Sequence, residues 1–235
     1  MNMPTNVNPI CSPGLEYLAL IDQLLVHQKI ELFEAFTGFQ TNNKYVIRNT
    51  LGQNVYWAIE KSDFCNRLCC GPSRSFNMQI TDAYQQEVIH LYRPLACSSC
   101  CFPCCLQSIE ISAPVGNIIG IINQEWTLCY PNFTVKNDVG ETVLRIEGPF
   151  LSFSCGRDVE FKILSLEGTQ VGKISKQWSG LAREFFTEAD NFGISFPMDL
   201  DVRMKAVMLG ACILIDMIFY ENSGQYGNAI ASFVT

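Results

Sequence analysis

Asp201–Glu221, DVRMKAVMLGACILIDMIFYE, decides how the rest of the chain has to be read. Ala206–Ile215 holds no polar side chain, and Met217–Tyr220 continues the apolar run beyond Asp216. A helix that is apolar on every side must be enclosed, either by a bilayer or by protein. At ~1.5 Å per residue, Ala206–Tyr220 covers roughly 22 Å, against about 30 Å of hydrocarbon. Asp216 inside a lone span would cost about 3 kcal/mol or more. The stretch therefore reads as a helix running through a β-structure that closes around it. The alternative is a single-pass span, which Arg203 and Lys205 would orient with its N-terminus in the cytosol.

A β-structure able to enclose it is visible upstream. Ile47 and Val55, Ile80 and Val88, Val135 and Val143, and Ile163 and Val171 are four pairs of branched residues with the same spacing. Polar turn residues lie between the members of each pair. The fifth step is Gly52, Gly140 or Gly168 in three copies and Gln85 in the other. Strand, Asn/Asp/Ser–Gly turn, strand is a hairpin signature. Ile109–Ile111, Ile118–Asn123 and Ser152–Ser154 are further strand candidates, while Leu15–Phe36 fits helix and strand almost equally. Some ten to twelve strands suffice to close an antiparallel barrel. The fold class is thus mainly β, a closed barrel of about 12 strands around the helix at 201–221. Residues 1–14 read as a loose lead, 15–221 as the barrel domain and 222–235 as a polar tail.

A net charge of −7 gives no basic surface for nucleic acid. The N-terminal residues show no signal peptide, so a reducing compartment is expected and the twelve cysteines are not read as a disulfide framework. With only two histidines and no nucleophile–base or phosphate-loop pattern, ordinary enzyme chemistry has little material.

Two stretches carry chemistry. Cys97–Cys105 packs five thiols into CSSCCFPCC. S-acylation of Cys100, Cys101, Cys104 and Cys105 beside Phe102 and Leu106 would give a multi-chain membrane anchor. Zinc or an iron–sulfur cluster at the two-residue spacings, and a loop without any ligand, are the other readings. Glu188–Asp199 has the outline of a calcium loop. Glu188, Asp190 and Asp199 stand at its first, third and last positions, with Gly193 sixth. Carbonyls of Phe192, Ile194 and Phe196 would complete the shell. So few carboxylates imply weak binding, roughly 10⁻⁴–10⁻³ M. The competing reading is a strand with Phe192, Ile194 and Phe196 on one face, then Asp199 or Asp201 capping the helix.

Pro13-Gly14-Leu15-Glu16-Tyr17-Leu18, Asn42-Asn43-Lys44-Tyr45, Cys69-Cys70-Gly71-Pro72-Ser73-Arg74, the Cys97–Cys105 cluster, Gly172–Lys176, Ala189–Gly193 and Asp199–Met208 together resemble the phospholipid scramblase family over nearly the full length. The resemblance implies a tubby-like fold and calcium-activated, ATP-independent, bidirectional movement of phospholipids between leaflets. It implies palmitate at the Cys cluster, hence the cytoplasmic face of the plasma membrane, with a nuclear pool when not acylated. It also implies a nuclear import segment over Gly172, Lys173, Ile174, Ser175, Lys176 and Trp178, read by an import receptor. Membrane phospholipids and signalling proteins are the expected partners. Three departures stand out: Phe102 interrupts the family's run of thiols, Glu188 replaces an Asp, and Gln177 stands where a His is common. The long Pro-rich N-terminal arm of many members does not precede the barrel here, so partners that read that arm are not expected. A lipid-anchored module that binds lipids or proteins without transporting them is the alternative function.

Overall fold

The computed structural model describes residues 13–29, 42–63, 69–70, 73–96, 106–127, 130–149, 159–177 and 191–220. A short 3-10 turn, Glu16–Leu20, leads into β1 (Gln23–Lys29). Then come β2 (Lys44–Arg48), β3 (Asn54–Lys61), β4 (Phe76–Thr81), β5 (Glu87–Arg93), β6 (Ser108–Ser112) and β7 (Ile118–Glu125). The second half of the sheet is β8 (Asn132–Asn137), β9 (Thr142–Glu147), β10 (Val159–Leu164), β11 (Gln170–Gln177) and β12 (Asn191–Ser195). The last element among the described residues is α1 (Val202–Phe219). Each strand pairs with its sequence neighbour, and β1 closes the ring by pairing antiparallel with β12. Closure removes every sheet edge. The candidate strand at Ser152–Ser154 lies outside the described residues, as do most of the lead and the whole tail.

All four hairpins read from the sequence are present, as β2–β3, β4–β5, β8–β9 and β10–β11. A fifth, β6–β7, follows the same rule from Ile111 to Ile119. The register slips by one residue at the same step each time: after Ile47, Ile80, Ile111, Val135 and Ile163. The fifth-step residue then takes the left-handed conformation, with φ of 75° at Gly52, 90° at Gly116, 82° at Gly140, 83° at Gly168 and 61° at Gln85. A type I turn followed by a left-handed residue is the three-residue hairpin whose twist suits the flanking strands, and glycine takes that position without steric cost. Asn49, Asp82 and Asn137 brace the turns by accepting two backbone N–H bonds each through Oδ1.

α1 fills the ring. Every residue from Met204 to Met217 is buried, which is why the stretch can be apolar all round. The helix lies nearest β6 and β7. A Cβ at Gly120 would stand 2.6 Å from Val207, and one at Gly210 2.8 Å from Ile111, so both glycines are set by that approach. Asp201 caps the helix by accepting from the Arg203 N–H at 2.8 Å. The bilayer reading of this stretch is not what the structure shows. Among the described residues, no helix is long and apolar enough to cross a membrane.

The helix's two buried charges are held at its two ends. The Lys205 ammonium donates to the carbonyls of Leu18, Ile21 and Met198 at 3.1, 2.7 and 2.8 Å, so all three of its protons are used. Burial lowers its pKa, opposed by the charges of Asp22 and Asp199. Asp216 accepts from the Tyr45 hydroxyl at 2.8 Å. Lys205, read in the sequence as flanking a span, in fact joins the 3-10 turn, the start of β1 and the lead into α1.

Candidate functional site

Antiparallel order sorts the connections between the strands. The five tight hairpins occupy one rim. The remaining connections, at 30–43, 62–75, 94–107, 126–131, 148–158 and 178–190, begin and end on the other. That second rim also holds the C-terminal end of α1. It is where the cysteine-bearing connection between β5 and β6 departs, and where the acidic connection enters β12. The connections that carry the cysteines and the acids Glu188 and Asp190 both meet the sheet on this side.

Beneath it lies a layer of charged side chains that point inward. On β3, Tyr56 and Ala58 face the core, and the next inward position is Glu60. Its carboxylate is held bidentately by Arg74, with Nε at 2.7 Å and Nη2 at 2.9 Å, and both side chains are fully buried. The Asn43 amide donates to the same carboxylate at 3.2 Å. Burial alone would raise the carboxyl's pKa. The bonds and charge of Arg74, helped by Ser62 and the Asn43 amide, hold it below the ordinary value instead. On β5, Ile89 and Leu91 are followed inward by Arg93, which donates through Nε and Nη2 to the Gln107 side-chain carbonyl and lies over the Phe76 ring. On β11 the inward residue after Ile174 is Lys176, whose ammonium stands 3.9 Å from the Tyr220 ring centre and 5.3 Å from that of Phe192. A cation there complements the negative end of the helix dipole.

These groups were missed in the sequence because a charged residue at a strand's end reads as solvated. The signal was present: Glu60, Arg93 and Lys176 each continue an inward alternation by two. Nothing in the layer forms a nucleophile with its base. Burial, and then the Asp216 carboxylate, push the Cys212 thiol well above its ordinary range. Among the described residues, no three His, Cys, Asp or Glu side chains converge to hold a metal.

Cys100, Cys101, Cys104 and Cys105 lie outside the described residues, as do Glu188, Asp190 and Trp178. Phe192 and Ile194 sit in β12, which is paired on both sides with β1 and β11. Their side chains and that of Phe196 are buried. The carbonyls of a strand paired on both sides are committed to the ladder. Asp199 is exposed at the hairpin rim, beyond the end of β12 opposite to where Glu188 and Asp190 join it. About five residues of strand, roughly 16 Å, intervene. Of the six positions, Phe192, Ile194, Phe196 and Asp199 are among the described residues, and they are strung along β12 and the segment after it. What the described residues display is the alternative reading, a strand followed by a helix cap.

Gly172, Lys173, Ile174, Ser175 and Lys176 form part of β11. Ile174 and Lys176 face the core, while Lys173 is exposed and pairs with Glu160 at 3.1 Å. A Cβ at Gly172 would stand 2.2 Å from the Ser195 carbonyl oxygen. The segment is therefore integral to the barrel wall.

The Scramblase family model matches residues 1–222. The chain is 60% identical over 225 residues to phospholipid scramblase 1 of Mus musculus, covering 95% of this chain and 69% of that protein. Against phospholipid scramblase 2 of Bos taurus the identity is 59% over 221 residues, 93% of this chain and 75% of the relative. Against phospholipid scramblase family member 5 of Homo sapiens it is 46% over 224 residues, 94% and 83% of the two chains. No solved structure matches.

Proposed function

Because the chain belongs to the scramblase family, we propose that it moves phospholipids between the leaflets of a membrane, in both directions, without ATP and in response to calcium. The observation that carries this is the extent of the likeness. At 60% identity over 95% of the chain, it takes in the barrel, the helix and the loop-bearing mouth together. Liposomes holding a reducible headgroup probe in both leaflets provide the test, with purified protein, calcium titrated and no ATP. The reductant should reach more probe than the outer leaflet contains, and more as calcium rises. Bleaching limited to the outer leaflet's share at every calcium concentration would overturn the proposal.

Acyl chains on Cys100, Cys101, Cys104 and Cys105 are the proposed anchor at the cytoplasmic face of the plasma membrane. One chain gives marginal binding, whereas two or more give stable attachment. Changing all four residues to Ser should move the protein to the soluble fraction and the nucleus. Iron or zinc bound stoichiometrically by the wild type and lost from that variant would replace acylation with a metal site. Calcium is proposed to act at Glu188 and Asp190, weakly, since Asp199 stands at the other rim. Asp190→Asn should lower affinity severalfold by terbium luminescence, and equal affinity would remove the site.

A second reading is favoured by one feature, the filled barrel. Its interior is occupied by α1, and a headgroup needs a polar route through about 30 Å of hydrocarbon. On this reading the chain is a palmitoyl-anchored module that binds lipids, signalling proteins or an import receptor. It would bind vesicles in the liposome experiment without moving any probe.

A further inference from the structure

The hairpin rim carries a feature that neither the helix nor the loop-bearing mouth uses. Each of its five tips holds one large apolar side chain in solvent. They are Leu51, Tyr84, Val115, Val139 and Leu166, the first 80% exposed and every one at least half exposed. Four stand one step before the left-handed residue of their hairpin, and Leu166 stands two before Gly168. Leu20 and Met198, also exposed, lie at the same end. A single exposed Leu carries no information. One on every successive tip of a rim does.

Two observations say what covers them. The first is charge. The adjacent tips Thr50-Leu51-Gly52, Ala83-Tyr84-Gln85 and Pro114-Val115-Gly116 contain no acidic or basic side chain, while the other two carry Asp138 and Glu167. The Asp138 carboxylate is taken by Arg203 at 3.2 Å. With a chain charge of −7, attraction to an anionic surface is not the driving force. The second is the state of the backbone. The N–H of Leu51, of Tyr84 and of Val139 each donates to the Asx side chain two residues earlier, at 3.0, 2.8 and 3.2 Å. An amide already bonded within its turn can leave water at little cost, as entry into a lipid interface demands. Neighbouring tips are two strands, roughly 10 Å, apart. A protein partner needs a contiguous apolar centre, whereas a fluid surface receives separate side chains singly. Tyr84, with an apolar ring and a polar end, suits the headgroup boundary.

We propose that the hairpin rim is a second membrane-contact surface, whose Leu51, Tyr84 and Val115 tips insert into the interface of a zwitterionic phospholipid bilayer. It stands at the end of the barrel opposite the cysteine-bearing connection. The choice of lipid as occupant rests on the phospholipid reading above, but contact is measured without any translocation assay, so the two can fail separately.

The experiment uses the full chain purified without acyl chains, calcium-free buffer and phosphatidylcholine vesicles, with co-sedimentation as the readout. Wild-type protein should bind. Leu51→Gln/Tyr84→Gln/Val115→Gln should bind about tenfold more weakly, three partly inserted side chains being lost. Its melting temperature should be unchanged, since all three residues are exposed. Tyr84→Trp should bind more tightly, and Leu95→Gln/Trp126→Gln/Tyr130→Gln, at the opposite rim, like wild type. Wild-type protein that ignores the vesicles overturns the proposal, as does a crown variant that binds equally. So does a soluble dimer that the crown variant disrupts while its vesicle binding stays intact, because the rim would then cover a second copy. Protein that binds through its crown but moves no probe supports the crown and overturns the transport activity.

Discussion

On the hairpin rim, connections are short, share one turn geometry and carry their polar atoms in local bonds, with apolar side chains outside. On the opposite rim the connections are long and the interior beneath them is charged. The helix between the rims repeats the contrast. Its N-terminal end is fixed by one ammonium on three carbonyls, and at its C-terminal end Asp216 accepts from Tyr45 while the Lys176 ammonium lies over the Tyr220 ring. The difference teaches where stability is patterned and where it is specific. The hairpin rim can be rewritten residue by residue at small cost, whereas the mouth depends on partners that fail together.

The largest effect is expected where that dependence is strongest. Arg74→Met leaves Glu60 buried without its cation and should destabilise the protein by about 3–5 kcal/mol in urea unfolding. Adding Glu60→Leu should recover most of the loss, because two apolar residues replace two charges. A double variant no more stable than Arg74→Met would show that the layer holds something beyond its own pairs.

At the other end of the helix, Lys205→Met strips the donor from three buried carbonyls, and a cost of about 1–3 kcal/mol is expected. Hydrogen exchange should quicken in the 3-10 turn and at the start of β1 while Tyr45 and Asp216 keep their bond. Equal loosening at both ends would erase the distinction between the rims.

Acid should weaken the mouth as well. The folded pKa of Glu60 is depressed, so its contribution is fully present above the ordinary value of 4.5 and is lost as pH falls through the folded value. The pH dependence of unfolding below 4.5 should flatten in Glu60→Gln when compared with wild type. An unchanged slope would mean that other carboxylates carry it.

The smallest effects belong to the hairpin tips. Gly140→Ala meets nothing within 4 Å and should cost only the left-handed backbone penalty, about 1–2 kcal/mol. Gln85→Gly should gain at most about 1 kcal/mol, the relief being offset by glycine's entropy. Opposite signs in the melting temperature check that the fifth step is a backbone position.

How far the sequence could be read follows the same division. Ile47, Ile80, Val135 and Ile163 announced their hairpins because Asn, Asp or Ser two steps on and Gly or Gln at the fifth step mark a turn locally. The fifth copy, Ile111–Ile119, escaped because Ala113-Pro114 replaces the usual Asx residue. The helix was legible because no other stretch is apolar all round. The charged layer was not, since Glu60, Arg93 and Lys176 stand at strand ends, where a charge reads as solvated even though each continues an inward alternation. The acid loop shows the limit most clearly. Acids and glycine in the right order describe a calcium loop and a strand with a cap equally well, and the strand from Asn191 to Ser195 became visible only through its pairing with both β1 and β11.

The position of α1 also governs when the protein can form. The bond between Tyr45 and Asp216 joins residues 171 apart, and that between Lys205 and Leu18 spans 187. A ribosome releasing this chain from its N-terminus has made all twelve strands before the first turn of the helix emerges. Until then the inward faces of those strands have only one another to cover them. The ring cannot close early, because a finished ring would shut out the helix that fills it. Folding is therefore held back until α1 has been made, and such non-local contacts make it slow. A stop codon ahead of Val202 would leave a sheet without its centre rather than a shorter version of the same protein.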